Sequence, residues 1–497
     1  MRKISLLLIA ALAVAVSQAQ NINDGLRYST QQNIGTARFT ALSGAMGALG
    51  GDFSATGINP AGGAVFLNSN LMFSATLFDV ENDANYFNNS EKSISDEVAL
   101  NQLGGVFVIN NSNEESAFKK FTIGANYDIS KNFDNELFIA GTGNTSIGDF
   151  FLEQAQGIPL SILENSHYED FGNFADQNAF LGYHAFIFDP VDPDNPSNTT
   201  YISNIGNGIF DQEYIYLSQG YNSKFSINLA TQVTNDFFFG ININTHTIDY
   251  EQSTFLLEGN DNPGSTVNRV GFENNLFVTG TGVSAQIGAI AKVANNLRLG
   301  LSLDSPTWYQ ISEETTQRLE SQRVFDGQTI IESINPNIIN VYEDYTLRTP
   351  AKVTASAAYI FGQNGLISFD YSYKDYSSIE FDFTNDQSYA NFLNNSIENN
   401  LKGVSIYRAG AEYRINQLSL RGGFHYEESP YENTTTVGDL SGFSLGAGYN
   451  FGRYTFDLAY SRSEQERSHQ LYSVGLTDAA NVATIYSNFI ASLGFHF

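Results

Sequence analysis

Ile485-Tyr486-Ser487-Asn488-Phe489-Ile490-Ala491-Ser492-Leu493-Gly494-Phe495-His496-Phe497 closes the chain as a run of alternating apolar and polar residues that stops on a terminal phenylalanine. Counted back from Phe497, one face carries Phe495, Leu493, Ala491 and Phe489, and the other His496, Gly494, Ser492 and Asn488. Successive side chains of a strand point to opposite faces, so one face suits lipid and the other a wet lumen, as in a transmembrane β-barrel. Taken alone, the same strand also fits a soluble sandwich, and the other end of the chain separates the two.

There, Arg2-Lys3 is followed by an apolar run from Ile4 to Val16 and then by Ser17-Gln18-Ala19, with small residues at both cleavage-recognition positions. Residues 1–19 read as a secretory signal peptide cut after Ala19, and their core is too short for a spanning helix. No later stretch reaches the roughly 18 consecutive apolar residues that a spanning helix needs. The 497 residues hold 43 Gly, 27 Tyr, 39 Phe and no Cys, so stability is expected from a closed ladder of strands. A net charge of -29 argues against a nucleic-acid partner, and most of the acid falls in expected loops. These features place the chain in the outer membrane of a Gram-negative bacterium, against its lipid. Its closing strand resembles the tail that the barrel-assembly machinery reads.

Period-two alternation between turn signals predicts an all-β, antiparallel barrel of about fourteen strands. They lie near residues 71–79, 101–110, 119–130, 222–233, 236–252, 281–293, 296–309, 345–361, 365–378, 404–415, 417–427, 441–451, 453–463 and 485–497. From the fourth strand onward short connections, such as Asn235-Asp236 and Gly362-Gln363-Asn364, alternate with long ones, which puts Phe497 in the periplasm. Residues 20–70 then belong to the periplasm or the lumen, and a large structured outer loop is expected at about 131–221.

The second informative cluster runs from Gly44 to Gly63 and includes Ala45-Met46-Gly47-Ala48-Leu49-Gly50-Gly51-Asp52 and Gly57-Ile58-Asn59-Pro60-Ala61-Gly62. Small residues at this density let backbone approach backbone, which suits a compact plug in a lumen. Asn59-Pro60 marks a turn, because proline disfavours the helical conformation in the residue before it. A phosphate-binding loop is ruled out by the lack of a following Gly-Lys-Ser/Thr. Gly50, Gly51, Asp52, Asn59, Pro60, Ala61 and Gly62 are the candidate gating residues.

At these residues the chain resembles the FadL/TodX family of outer-membrane transporters for long-chain fatty acids and other hydrophobic compounds. Further matching stretches are Leu301-Ser302-Leu303-Asp304-Ser305-Pro306-Thr307-Trp308-Tyr309, Leu347-Arg348-Thr349-Pro350-Ala351-Lys352-Val353 and Leu420-Arg421-Gly422-Gly423-Phe424. The resemblance implies a monomer with an N-terminal hatch. It also implies capture by outer loops, binding in the lumen, hatch rearrangement and sideways exit through the wall, with a kinked strand near Gly104-Gly105 or Gly124 as the expected opening. Some relatives serve instead as attachment or shuttle partners for secreted proteins, and that reading stays open.

Strand parity turns Arg298, Asp304, Lys352, Asp370, Arg408, Glu412, Arg414, Arg421 and Asp457 inward. Such charges either hold the hatch by ion pairs or bind a substrate carboxylate. In the large loop Phe150, Phe151, Phe180, Tyr183 and Phe186 are either a landing site for an apolar substrate or the buried faces of short helices. His167, His184, His246, His425, His469 and His496 show neither metal-ligand spacing nor a nucleophile nearby, so neither an enzyme nor a resident cofactor is expected. Haem uptake, with His167 and His184 as axial ligands, is the closest competing transport reading. Phe188-Asp189-Pro190-Val191-Asp192-Pro193-Asp194-Asn195 reads as a polar turn, since it lacks the Gly and distant Glu of a calcium loop.

Overall fold

The computed structural model describes residues 21–113 and 115–497, so the expected signal peptide lies outside the described residues. Fourteen strands, each antiparallel to its neighbours, close into one barrel. They are β1 (Asn70–Tyr86), β2 (Asn89–Asn110), β3 (Phe118–Asn132, resumed at Asn135–Gly143), β4 (Phe210–Val233), β5 (Phe237–Gly259), β6 (Val267–Lys292) and β7 (Leu297–Asp304, resumed at Trp308–Phe325). There follow β8 (Tyr345–Arg348, resumed at Lys352–Ile360), β9 (Gly365–Asp375, resumed at Glu380–Phe383), β10 (Gly403–Ile415), β11 (Leu418–Glu427), β12 (Leu440–Asn450), β13 (Tyr454–Gln470) and β14 (Ala479–His496). Pairing of β14 with β1, Phe495 opposite Leu71 and Phe489 opposite Leu77, closes the ring and leaves no free sheet edge there.

Alternation sets the two faces. On β5, Phe237, Phe239, Ile241 and Ile243 stand exposed on the outside while Asn242 and Asn244 are buried in the lumen. The closing strand behaves alike, with Phe489 outside and Ser492 inside. The outer band is therefore apolar and the inner surface polar, the arrangement a bilayer demands.

Several strands run further outward than the alternation indicated. β6 starts at Val267 rather than near 281, and β1 and β2 continue to a hairpin turn at Phe87-Asn88 where a loop was expected. Beyond the bilayer no lipid face is needed, so Glu81, Asp83 and Asn85 make a polar outward side, while Ala84 and Tyr86 turn into the apolar core of the outer end and the backbone ladder continues. Prolines explain the breaks in β7 and β8. Neither Pro306 nor Pro350 has an N–H for the ladder, and Thr307 and Thr349 bridge the gap, each backbone N–H reaching the other residue.

The large outer connection spans residues 144–209, shorter than expected because β3 and β4 extend into it. It carries three helices, Ile147–Ala155, Leu160–Asn165 and Phe174–His184, which pack on the outer strand ends through Phe151, Leu181, Leu256, Phe272 and Leu476. The result is a dome with its own apolar core.

Candidate functional site

The N-terminal chain fills the lumen in three stages. The first is α1 (Ile22–Ser29), capped by Asn21, whose side chain accepts from the Asn23 N–H at 2.8 Å. Leu26 and Tyr28 are buried in an aromatic chamber with Tyr250, Tyr309, Tyr345, Phe381 and Phe383, and Arg27 lies 4.4 Å over the Tyr250 ring. Tyr431 of an outer loop donates to Asn23 at 2.7 Å, which fixes α1 near the outer mouth.

The second stage is Gln32–Gly35, laid along β2 and β3. Gln32 N–H donates to the Ser130 carbonyl at 3.0 Å, Asn132 N–H to the Gln32 side chain at 2.9 Å, and Asn101 Nδ2 to the Gly35 carbonyl at 2.9 Å. Ile34 packs on Phe78 and Ile129. This segment covers a fault in the wall. The β2–β3 ladder runs from Asn110↔Lys120 only as far as Gln102↔Asp128, while β1 remains paired with β2 to Tyr86. Asn101 is an extra residue in β2, and β3 is irregular between Ile129 and Lys131. Val98 and Leu100, exposed outward beside the fault, lie level with Leu77 and Ala75 in the apolar band.

The third stage, residues 36–66, is the floor, and its motif residues have specific reasons. Gly50 and Gly51 adopt φ of +60° and +68°, and a Cβ on Gly50 would lie 2.6 Å from the Gly62 Cα. Asp52 caps a short helical turn at Ser54 and Ala55 and accepts from Thr36 Oγ1 at 2.7 Å. Asn59 accepts from Ala61 N–H at 3.1 Å while its Nδ2 donates to the Gly47 carbonyl at 2.9 Å and the Ala289 carbonyl at 3.1 Å. The Pro60 carbonyl accepts from Asn228 at 2.9 Å. The wall receives this backbone on inward glycines: Gly240 and Gly288 face Asn59-Pro60, Gly300 faces Gly47, and Gly410 and Gly423 face Leu42-Ser43. Gly104, considered above as a marker of the wall opening, is instead the seat of Phe53.

Most of the inward charges tie this plug to the barrel. Glu412, fully buried, accepts from Arg38 at 3.1 Å and Arg421 at 2.7 Å, and pairs with Arg414 at 2.5 Å. Arg421 also reaches Asp457 at 2.5 Å. Asp370 accepts from Gly47 N–H at 2.9 Å, Arg298 donates to the Leu49 carbonyl at 3.1 Å, and Lys352 pairs with Asp304 at 2.9 Å. Arg408 differs, since its Nε and Nη1 are buried without a hydrogen-bond partner among the described residues.

Between the floor and α1 lies a cavity lined by Lys224, Lys352 and Lys374, with Asp304 its one acidic residue. Its volume of about 50 Å³ holds a water or two and no hydrocarbon chain. Lys224 and Lys374 went unnoticed in the sequence, although the parity that turned Lys352 and Asp370 inward turns both of them inward on the strands near 222–233 and 365–378. Asn101 was readable: outward apolar residues shift from even numbers, Val98 and Leu100, to odd ones, Leu103 and Phe107, across it.

In the dome Phe150 and Phe151 are buried in the core, which removes them from a surface landing site. Phe180 and Tyr183 are half-buried against that core, and Phe186 is 39 % exposed with Arg323 4.1 Å over its ring. His184 bonds the Leu163 carbonyl through Nε2 at 3.1 Å, and burial lowers its affinity for a proton. It therefore does not present that nitrogen to a haem, while His167 is exposed.

The family model described as outer membrane protein transport protein (OMPP1/FadL/TodX) matches residues 217–484, more than half of the chain. Among solved structures, a FadL homologue of Pseudomonas aeruginosa superposes with a TM-score of 0.53 at 13 % identity, covering 94 % of this chain and 100 % of its own. The toluene transporter TodX of P. putida gives 0.53 at 12 %, with coverage of 94 % and 99 %. At these identities the superpositions establish the fold. No curated protein matches the chain by sequence.

Proposed function

From the premise that the chain belongs to the OMPP1/FadL/TodX family, outer-membrane barrels that transport hydrophobic compounds, we propose a long-chain fatty acid as its substrate and the β2–β3 fault as its exit. The observation that carries the reading is a closed, polar floor beside an unladdered strip of apolar wall. The substrate lands on the dome near Phe186 and enters the aromatic chamber by displacing α1. The hatch segment Gln32–Gly35 then swings off the fault, and the substrate leaves sideways into the bilayer. Lys352, Lys374 and the unpaired edge of Arg408 favour a substrate ending in a carboxylate over a neutral hydrocarbon. The barrel works as a monomer in lipid, exported by its signal peptide and inserted by the assembly machinery through β14.

The test is equilibrium binding of a labelled long-chain fatty acid to the purified mature protein, with a neutral aromatic hydrocarbon as competitor. Saturable binding displaced by other fatty acids and weakened in Arg408→Ala or Lys374→Ala is expected. Stronger displacement by the hydrocarbon, with no effect of either substitution, would reject the carboxylate preference.

A further inference from the structure

The lumenal cavity holds more positive charge than its walls balance. Lys352 is paired with Asp304 at 2.9 Å, whereas Lys224 and Lys374 make no ion pair among the described residues. Lys374 is more than nine-tenths buried and donates to the Ser29 carbonyl, which leaves it further ammonium protons to place. Lys224 also turns in, since a Cβ on Gly57, in the same lining, would lie 3.1 Å from its Nζ. Asp128 stands opposite Lys224 in the β3–β4 ladder and takes its hydrogen bond from Asn126. Two hydroxyls of the lining, Tyr28 Oη and Ser29 Oγ of α1, are buried without a hydrogen-bond partner among the described residues. The acceptors left open there are Asn244 Oδ1 and Asp304 Oδ1. Buried ammonium groups are costly without a counter-charge, so what the donors of this cavity lack is an anion.

Size selects which anion. While α1 is seated the cavity takes a water or two, so a monatomic ion fits where a phosphate or a headgroup trailing its chain does not. We propose that a chloride, or a halide like it, occupies this cavity in the resting barrel, held by the ammonium groups of Lys224 and Lys374 and the hydroxyls of Tyr28 and Ser29. The open acceptors of Asn244 and Asp304 are left to water.

Such an ion pins α1, because the hydroxyls belong to that helix and the ammonium groups to β4 and β9 of the wall. Hydrogen bonds to a charged acceptor are about twice as strong as those between neutral groups, so the pin outweighs what a water in the same place would give. The halide is also a placeholder. A carboxylate that arrives once α1 lifts takes over the same ammonium groups and releases it. This second consequence rests on the fatty-acid reading, and the halide site itself does not.

The test uses crystals of the full-length mature protein grown with bromide in place of chloride, and anomalous diffraction at the bromine edge. A peak in contact with Lys224 Nζ and Lys374 Nζ is expected, reduced severalfold in Tyr28→Phe and absent in Lys224→Met. No peak in the cavity overturns the site, and one that both variants leave unchanged is an adventitious ion only and overturns it too. Heat-modifiable gel migration checks that each barrel is folded, and Tyr28→Phe removes no more than a hydroxyl. In solution, amide exchange in α1 should be severalfold slower in about 0.3 M chloride than in methanesulfonate at the same ionic strength. Equal exchange in the two salts overturns the pin. Binding of a labelled long-chain fatty acid in the same two salts separates the ideas. A Kd raised severalfold by chloride supports the shared seat. A bromide peak beside a Kd that ignores halide leaves the anion site standing and rejects the carboxylate reading.

Discussion

Alanine at Gly240 tests whether the inward glycines seat the hatch. Its Cβ would stand 2.3 Å from the carbonyl carbon and oxygen of Pro60, against an ordinary contact of 3.4 Å or more. Both obstacles are backbone, so the Asn59-Pro60 turn must lift by about 1 Å. That stretches two bonds to the wall, Asn228 to the Pro60 carbonyl at 2.9 Å and Asn59 to the Ala289 carbonyl at 3.1 Å, out of hydrogen-bonding range. Each buried group left without its partner costs roughly 1–3 kcal/mol, so the seat loses about 2–6 kcal/mol. The barrel itself is spared, since Gly240 keeps its ladder partners Ala230 and Gly288 and the new methyl points into the lumen. Amide exchange across residues 58–63 is therefore expected to accelerate by about 30-fold or more, that being the factor for 2 kcal/mol. Single-channel conductance should rise with it, while heat-modifiable migration stays normal. Gly259→Ala on the same strand, where a Cβ meets nothing within 4 Å, is the control. Exchange in Gly240→Ala equal to that in the control would refute the seat.

Other substitutions probe the ties and the dome. Glu412→Gln leaves Arg38, Arg414 and Arg421 without their shared carboxylate, and should cost about 3–5 kcal/mol, read as earlier proteolysis of the hatch with the barrel intact. Phe150→Ala, only 4 % exposed, should destabilise the dome by about 3–5 kcal/mol in denaturant titration. Phe186→Ala should change stability by less than about 1 kcal/mol and instead slow the first phase of fatty-acid uptake. Lys352→Ala leaves the half-buried Asp304 without its partner and should raise the fatty-acid Kd about tenfold or more while leaving hydrocarbon binding unchanged, by calorimetry of both ligands.

The sequence was most readable where lipid presses on the chain. Phe237, Phe239, Ile241 and Ile243 must face the bilayer, so alternation located β5 and the closing strand without help. It faded along Asp79–Asp96, where the outward face meets water while Val80, Ala84 and Tyr86 are buried on the inward one. The plug was visible as a glycine-rich segment, but its seat was not: Gly240 looks like any small inward residue until Pro60 is placed against it. Likewise Arg38 and Glu412 are 374 positions apart, and no spacing rule joins them. Parity did turn Glu412 and Arg421 inward, yet which partner each would take depended on the path of residues 36–66. The aromatic residues of the large loop were ambiguous for a physical reason, since a helix shows the same apolar face whether it packs on a core or waits for a ligand. Phe150 is buried in the core, and Phe186 stands partly exposed under Arg323.

Energetics favour the sideways route once the surfaces of the plug are compared. A chain of about sixteen carbons gains roughly 0.8 kcal/mol per CH₂ on leaving water, or about 12 kcal/mol in all. A path through the floor would forfeit most of that, because Asn228, Asn242, Gln286 and Asp370 line it and would lose hydrogen bonds to the plug as well. The fault offers the opposite surface. Ile34, Phe78 and Ile129 meet the chain inside, and Val98, Leu100 and Leu103 meet it outside. Opening it costs the bonds of Gln32 to Ser130 and Asn132 and of Gly35 to Asn101, whereas opening the floor breaks the Glu412 and Asp370 ties and unseats the glycine contacts. On the proposed route the chain would pass Ile34, Phe78 and Ile129, and the lighter of the two closures would be the one to move.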